Sequence, residues 1–205
     1  ELSLTGQVLR SIPIKGAANL EGVAVLADGH VAVIDERQRS LSIFLLNADT
    51  RELDSAQAVQ RVELGTVGDS NKGFEGLAWD SRNQRLLLAN EKNPVRLFSL
   101  ACDGRRVSGP LQALGDLDGY VTDVAGLSVD SRSGQLLALS QESHLLLGLD
   151  PQLQAQSFLA LLPGLNGLTR RVPQAEGLAL DNAGNLYVVS ERNLFFAFQR
   201  EVSAP

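Results

Sequence analysis

The sequence predicts an all-β fold, a five-bladed β-propeller with four-stranded antiparallel blades whose first blade is incomplete in this chain. The first observation is a repeat in which a hydrophobic run opens on Gly. A Glu precedes that Gly at Glu21, Glu75 and Glu176, and Ala125 takes its place in the remaining copy, giving intervals of 54, 50 and 51 residues. The second observation is that each copy leads into further short β-rich runs, without a convincing amphipathic helix. A period of about 50 residues with four short strands per unit is typical of propeller blades.

The blades can be followed in order from the N-terminus. Residues 1–15 alternate apolar and polar side chains around a Thr5-Gly6 turn, which predicts two strands joined as a hairpin. No Glu-Gly step precedes them, so we interpret them as the outer half of a blade whose inner half is missing. The next blade starts with the run 22–26 and turns at Asp28-Gly29, a dipeptide that favours tight hairpins. Its other strands are predicted at 31–34, 41–46 and 59–64.

The three later blades repeat this plan with longer hairpin turns, predicted at 80–84, 130–134 and 181–185. We expect one domain, with blade boundaries at 1–16, 17–64, 65–114, 115–162 and 163–205. The Gly of each repeat is expected where inner strands crowd near the propeller axis, because a side chain would not fit there.

The composition is that of an ordinary soluble domain, with 44% hydrophobic and 20% charged residues. The net charge of -6 argues against a nucleic-acid partner, which would require a clustered basic surface. The single Cys102 excludes an internal disulfide and a Cys-based zinc site. The chain starts at Glu1 and contains no Met, so we expect a fragment or a processed form. Contact with a membrane is expected only through an upstream anchor absent from this chain.

The acids of the repeat are expected to meet at one rim. Pairing across the Asp28-Gly29 hairpin places Glu21 opposite Glu36. The same folding back brings other residues together: Glu75 with Glu91, Glu176 with Glu191, and Ala125 with Glu142, Asp123 lying two residues before Ala125. Inner strands of a propeller start around a central channel, so these acids should converge on one mouth. The loops that enter the blades add Asp69, Asp116, Asp118 and Asp123.

Like charges facing each other on a sheet are destabilising, by roughly 3 kcal/mol per pair at about 6 Å. Relief could come from a bound cation, from protonation, or from salt bridges. The basic candidates are Arg37, Lys92 and Arg192, which follow the acids, and Lys72, Arg170 and Arg171 in the entering loops. Neighbouring side chains on a strand point to opposite faces, which favours the cation over the ion pairs. Carboxylate and carbonyl oxygens contributed by several blades suit Ca²⁺.

The strings NKGFEGLAWD, PQAEGLALD, GNLYVVSERNLFF and IDERQRSL resemble the SdiA-regulated (YjiK-like) bacterial propeller family over essentially the whole chain. That resemblance implies a five-bladed propeller distantly similar to NHL-repeat proteins, with a calcium site, no established activity and a location in the bacterial envelope. The family's acidic rim corresponds to Glu21, Glu75 and Glu176, with Glu36, Glu91, Glu142 and Glu191 as further metal-ligand candidates. This chain departs from the pattern at Ala125, where that blade can contribute only Asp123 or Glu142, and in lacking the first blade's inner hairpin.

Two functions are compatible with this sequence. The first is a calcium-stabilised binding or scaffold module that receives a small molecule or a protein at the channel mouth. The second is a metal-dependent hydrolase of the lactonase type, because calcium-dependent lactonases are also propellers that use a Glu before Gly as a metal ligand. Such an enzyme needs a metal-activated water and a carboxylate base, for which Asp123 or Asp35 is the candidate.

Overall fold

The computed structural model describes residues 1–67 and 73–200 and confirms the all-β propeller. Asp69 and Lys72, which were predicted to lie in an entering loop, fall outside the described residues. The short strand β1 (Ile14–Lys15) comes first and pairs in parallel with β5 (Leu53–Asp54). Four antiparallel sheets follow, which we call blades A to D.

Blades A and B are four-stranded, as predicted. Blade A consists of β2 (Leu20–Val25), β3 (His30–Asp35), β4 (Ser40–Leu45) and β6 (Gln60–Glu63). Blade B consists of β7 (Phe74–Asp80), β8 (Arg85–Asn90), β9 (Arg96–Cys102) and β10 (Val107–Asp116). The turn between β2 and β3 has positive φ at both Asp28 and Gly29, the conformation for which the Asp-Gly dipeptide is suited.

Blade C is also four-stranded, whereas blade D has three strands among the described residues. Blade C consists of β11 (Gly126–Val129), β12 (Leu136–Ser140), β13 (Leu145–Leu149) and β14 (Ala155–Ala160). Blade D consists of β15 (Ala175–Leu180), β16 (Leu186–Ser190) and β17 (Leu194–Phe198). One 3-10 turn (Ser55–Gln57) precedes β6, and no helix in the described part of the chain is long and apolar enough to cross a bilayer.

Buried aliphatic side chains hold each blade against the next. Ile34 and Ile43 of blade A pack in one cluster with Leu86 of blade B, and all three are fully buried. Corresponding clusters join blade B to blade C and blade C to blade D. The inner strands meet in the same order, β2 with β7, β7 with β11 and β11 with β15. Each blade therefore depends on its successor to bury one face of its sheet.

The repeated Gly allows this close approach, as the sequence predicted. A Cβ atom added to Gly22 would lie 2.5 Å from the carbonyl oxygen of Glu75 and 2.7 Å from the Cβ of Leu77, both in blade B. A Cβ on Gly76 would similarly lie 2.7 Å from Leu127 Cγ in blade C. Gly177 differs, because the single atom that its Cβ would meet within 4 Å is Val189 Cγ2 in its own blade.

The N-terminal residues differ from the prediction of two full strands. A turn containing Gly6 is present, but the pairing around it is a single antiparallel bridge between Leu2 and Val8. The segment instead reaches two blades: Gly6 lies against the ring of Phe195 in blade D, and Arg10 donates to the Asn47 carbonyl beyond β4. Its apolar side chains Leu4, Val8 and Leu9 are exposed rather than packed against a second sheet, so the segment follows the neighbouring blades instead of forming its own.

Candidate functional site

The Glu-Gly steps form β-bulges at the start of the inner strands. In blade B, Phe74 pairs with Asn90 and Gly76 pairs with Ala89, which leaves Glu75 as an extra residue. Glu176 is the extra residue of blade D in the same way, and in blade A the pair Glu21-Gly22 lies opposite one residue of β3. A bulge re-aims the side chain that it carries. The acids of the repeat are therefore displaced from the ordinary alternation of a strand.

The predicted pairing of Glu21 directly opposite Glu36 is wrong. Leu20 pairs with Asp35, and the register then shifts before Val23 pairs with Val33. Two shifts are responsible. The strands pair around Asp28 rather than around the Asp28-Gly29 bond, since Val25 pairs with Val31, and the bulge then adds an extra residue to β2. The acids nevertheless converge. Glu75 and Glu91 meet across one hairpin, as predicted, and Glu36 joins them from the neighbouring blade.

A central cavity of about 660 Å³ opens where the inner strands begin. The bulge acids of three blades, Glu21, Glu75 and Glu176, line it together with Glu191, which directly follows β16. Ala125 lines the corresponding part of blade C, so the wall contributed by that blade carries no acid at the repeat position.

Three carboxylates form a compact group at the boundary between blades A and B. Glu36, Glu75 and Glu91 each place an oxygen within 4.8 Å of the others. The backbone N–H of Gly73 donates to Glu36 Oε1 at 3.0 Å, and the side-chain amide of Asn19 donates to Glu36 Oε2 at 3.0 Å and to Glu21 Oε1 at 2.7 Å. These donors fix two of the surrounding acids without adding positive charge. We call Glu36, Glu75 and Glu91 the acidic cluster.

Burial and mutual repulsion disfavour the simultaneous ionisation of the carboxyl groups around the cavity. Burial, followed by the charges of Glu91, Glu21, Glu36 and Glu176, raises the pKa of Glu75 to about 8. Burial and then the charge of Glu191 also raise the pKa of Glu176. The carboxylates therefore form an electrostatically strained set in which a proton or a cation is favoured.

Among the described residues, Lys92 relieves part of this repulsion. Its Nζ lies 3.2 Å from Glu91 Oε1 and 2.7 Å from Glu142 Oε1, and hydrogen bonds to Glu142 and then Glu91 raise the lysine pKa. The expectation that a residue directly after a rim acid is poorly placed to neutralise it is therefore wrong for Lys92. That residue lies in the turn after β8, where strand alternation does not apply. Within residues 1–67 and 73–200, Arg37 and Arg192 make no ion pair.

The two candidate bases serve local structure. Asp123 is 2% exposed and accepts hydrogen bonds from the Ser140 hydroxyl and from the backbone N–H groups of Gln141 and Glu142. Asp35 is likewise buried and accepts from the backbone N–H groups of Ala18, Asn19 and Gln38. Neither side chain lines the central cavity. Both carboxylates are used to satisfy buried backbone donors.

Sequence reasoning missed the wider pattern to which Asp35 belongs. The second strand of every blade ends in a buried polar residue, namely Asp35, Asn90, Ser140 and Ser190. Asn90 donates to the carbonyls of Lys92 and Pro94, and Ser190 donates to the carbonyl of Pro173. Each of these residues ties a turn or entering loop to its blade. The signal was available, because a polar residue follows the apolar run of each second strand.

Comparing the second strands of the blades also locates the acids that follow them. Gly76, Gly126 and Gly177 pair with Ala89, Leu139 and Val189, so the residue equivalent to Glu91 is Gln141 in blade C and Glu191 in blade D. The prediction that Glu142 occupies this position is one residue too far along the chain. The offset arises because the hairpins of blades B and C are equally long, so the residue as far beyond Leu139 as Glu91 is beyond Ala89 is Gln141. Glu142 lies outside the acidic cluster, in its ion pair with Lys92.

The predicted loop acids do not join the cluster. Asp116 forms a two-point ion pair with Arg96, and Asp118 accepts from the backbone N–H of Val95 at 2.8 Å. Of the predicted metal ligands, the structure therefore groups Glu36, Glu75 and Glu91, places Glu21, Glu176 and Glu191 along the same cavity, and leaves Asp123 and Glu142 apart.

The comparisons with known proteins agree with this architecture. The sequence profile of the SdiA-regulated family matches residues 1–199. Among solved structures, the crystal structure of Myxococcus xanthus glutaminyl cyclase is similar, with a TM-score of 0.63 and 21% sequence identity, over 91% of this chain and 67% of that one. At this level of identity the likeness concerns the fold alone. The match over nearly all of its sequence shows that the chain belongs to the SdiA-regulated family.

Proposed function

We propose that this protein is a calcium-binding β-propeller of the bacterial envelope that receives a small molecule or a protein at its channel mouth. The observation that carries the proposal is the acidic cluster, in which three carboxylate oxygens from two blades lie within 4.8 Å of one another. Repulsion between two such charges is on the order of 3 kcal/mol at an effective dielectric of about 20. A divalent cation would convert that repulsion into attraction.

The separation of the oxygens fits the size of Ca²⁺. The ion binds oxygen at about 2.3–2.6 Å, so two ligands on opposite sides of it lie about 5 Å apart. Glu36, Glu75 and Glu91 would hold the ion, while Asn19 and Gly73 orient Glu36 through the hydrogen bonds described above. The donor set consists of oxygen atoms, which favours Ca²⁺ over metals that prefer nitrogen or sulfur. The cavity beside the cluster, of about 660 Å³, is within the size range of small-molecule sites.

A fifth blade is part of the proposal. Two observations support an opening between blades D and A: Gly177 meets no atom of a following blade within 4 Å, and Val23 and Val25 of β2 are 61% and 73% exposed. The N-terminal segment, which contacts both blades, would be the outer part of the fifth one. The location in the envelope rests on the family resemblance and is tested by fractionating cells that carry the full-length protein.

The hydrolase of the lactonase type is the less supported alternative. Asp35 and Asp123, its candidate bases, are buried and accept backbone hydrogen bonds. The similarity to a glutaminyl cyclase does not support an enzymatic activity for this chain, because proteins of unrelated function share folds. A screen of lactones and phosphoesters with and without Ca²⁺ separates the two functions, since calcium-dependent turnover would replace the binding-module proposal.

Calorimetric titration of metal-free protein with Ca²⁺ tests the metal site. We expect one binding event. The free energy of unfolding should rise by about 2.7 kcal/mol at a Ca²⁺ concentration about 100 times Kd, and the midpoint of thermal unfolding should rise with it. Glu75→Gln removes a charged ligand and should weaken Ca²⁺ binding at least tenfold. Glu176→Gln should weaken it less, because Glu176 lines the cavity without belonging to the acidic cluster and attracts the ion only through its charge. Absence of both heat and thermal shift at millimolar Ca²⁺ would refute the proposal.

Two further variants make this titration specific. Glu63→Gln removes an exposed acid on β6, outside the cluster, and should leave the affinity unchanged. Lys92→Met removes the cation that lies 3.2 Å from Glu91 Oε1, so Ca²⁺ affinity should rise several-fold. A loss of stability in Lys92→Met without any change in Ca²⁺ binding would instead favour a purely structural ion-pair arrangement.

A further inference from the structure

A second cavity, of about 500 Å³, lies between the turns of blades C and D. The turn after β12 contributes Gln141 and His144, the loop before β15 contributes Arg170 and Arg171, and the turn after β16 contributes Arg192. It adjoins the channel mouth, because Gln174 in its wall donates to Glu191 Oε2 at 2.8 Å and Glu191 lines the central cavity. We call this cavity the basic pocket.

The three arginines of the basic pocket lie together without an ion-pair partner among the described residues. Arg96, Arg105 and Arg132 each form an ion pair with an Asp. By contrast, no ion pair within the described ranges involves Arg170, Arg171 or Arg192, and no Asp or Glu lines the pocket. Three positive charges therefore converge on one concave surface of a protein whose net charge is -6.

The backbone around the pocket adds a second observation. Gln174 has φ of +37° and Arg192 has φ of +67°, conformations that are uncommon for residues other than Gly. His144 and Asn193 also have positive φ, at the equivalent ends of the second turns of blades C and D. Arg192 and Asn193 together repeat the conformation of Asp28 and Gly29 in the turn between β2 and β3, so the hairpin turn accounts for Arg192. Gln174 lies in the loop before β15, and no hairpin turn accounts for its positive φ. Strained backbone of this kind is often retained where it places groups for binding.

We infer that the basic pocket binds a small organic phosphate. A phosphate monoester carries close to two negative charges and three terminal oxygens, whereas a carboxylate offers one charge and two oxygens. Guanidinium groups match phosphate oxygens through paired N–H donors, and clusters of Arg recognise phosphate in this way. Three guanidinium groups thus exceed what one carboxylate can use.

The size of the pocket identifies the rest of the ligand. A volume of about 500 Å³ is in the range of sites for small molecules and is larger than an inorganic ion needs. The wall beyond the arginines carries the side-chain amides of Gln141 and Gln174 and the ring of His144, which are hydrogen-bonding groups suited to hydroxyls. A polar molecule such as a sugar phosphate fits this lining.

Calorimetric titration of metal-free protein with glucose 6-phosphate at fixed ionic strength tests the inference. We expect saturable binding that is at least tenfold tighter than that of glucose, and weaker binding of inorganic phosphate. The double variant Arg171→Gln, Arg192→Gln should lose at least tenfold in affinity. Both side chains are exposed, so circular dichroism should show an unchanged fold. Absence of heat at about 10 mM glucose 6-phosphate, which is above the Kd of about 1 mM expected even for a weak ligand, would overturn the inference.

Arg37→Gln is the matched control. Arg37 follows Glu36 as Arg192 follows Glu191, and it is exposed at the equivalent corner of blade A but does not line the basic pocket. An equal loss of affinity in Arg37→Gln would show that the phosphate responds only to overall charge, and tighter binding of succinate than of glucose 6-phosphate would overturn the choice of phosphate. Because these titrations contain no Ca²⁺, their outcome is independent of the acidic cluster.

Discussion

The position of the Glu75 carboxyl group is set by a local bulge, and its pKa is set by the charges around the cavity. The bulge directs it away from the strand alternation, and it then lies within 4.8 Å of acids from its own blade and from blade A. Burial and these neighbouring charges raise its pKa to about 8. In the absence of a cation, the protein therefore keeps a proton here at neutral pH that the unfolded chain would release.

This raised pKa makes the stability of metal-free protein depend on pH. Between about pH 4.5 and 8 the folded state retains the Glu75 proton and the unfolded state loses it, so the free energy of unfolding should fall as the pH rises through that window. Glu75→Gln removes the titration and should make the variant more stable than the parent at pH 8, on the order of 2 kcal/mol after allowance for solvent screening. Urea unfolding at pH 5, 6.5 and 8 measures the difference.

The comparison needs one control at the same residue scale. Glu63→Gln should keep the slope of the parent, because Glu63 is exposed and is not part of the acidic cluster. Some slope should remain in Glu75→Gln, since the pKa of Glu176 is also raised. Unfolding curves of Glu75→Gln that run parallel to those of the parent at all three pH values would contradict the assignment.

At the scale of one element, the inner strand combines two functions in adjacent residues. The Glu at the bulge faces the cavity, and the following Gly allows the next blade to approach. In β2 the two roles meet directly, since the atom nearest to a Cβ on Gly22 would be the carbonyl oxygen of Glu75. Packing between blades A and B therefore also positions the acidic cluster.

Gly22→Ala should consequently affect both stability and metal binding. Its Cβ would lie 2.5 Å from a backbone atom, which cannot rotate away, so we expect a loss of about 2 kcal/mol or more in the free energy of unfolding. Ca²⁺ affinity should fall in the same variant. Gly119→Ala is the control, because nothing lies within 4 Å of its Cβ position, and it should change stability by less than about 0.5 kcal/mol. Equal stability of the two variants, measured by urea unfolding, would refute the role of Gly22.

The inner strands also show what the sequence could predict. The repeat placed the hairpins of all four blades, because Asp-Gly and longer turn signals separate clear β-rich runs. It located Glu91 near Glu75, but it could not locate Glu36, the partner from the other blade. Glu75 and Glu36 meet across a blade boundary, and that contact depends on bulges and on how sheets pack, which no spacing within one hairpin encodes. Lys92 was misjudged for the same reason, as its neutralising contacts depend on a turn rather than on a strand.

At the scale of the whole molecule, the blades form a series with two unequal ends. Blade A covers its face towards blade B with fully buried Ile34 and Ile43, while on its other face Val23 and Val25 remain exposed. Part of that other face is covered by the N-terminal segment, where Ile14 and Ala17 line a small cavity with Phe44. The uncovered apolar strip on β2 is the place where an additional inner hairpin would pack in a closed propeller.

Thiol labelling of Val25→Cys tests whether this strip is open in the 205-residue chain. The native Cys102 is buried and burial raises the pKa of its thiol, so background labelling should be slow. Phe158→Cys is the matched control, because Phe158 and Val25 are both 73% exposed, the former on the outer strand of blade C. We expect the two introduced thiols to react with a maleimide at rates within about threefold of each other. Strong protection of the Val25 thiol alone, at every protein concentration, would mean that the chain already covers the strip and would contradict an opening between blades D and A. Protection that appears only at high concentration would show that a second copy occupies the place proposed for the fifth blade.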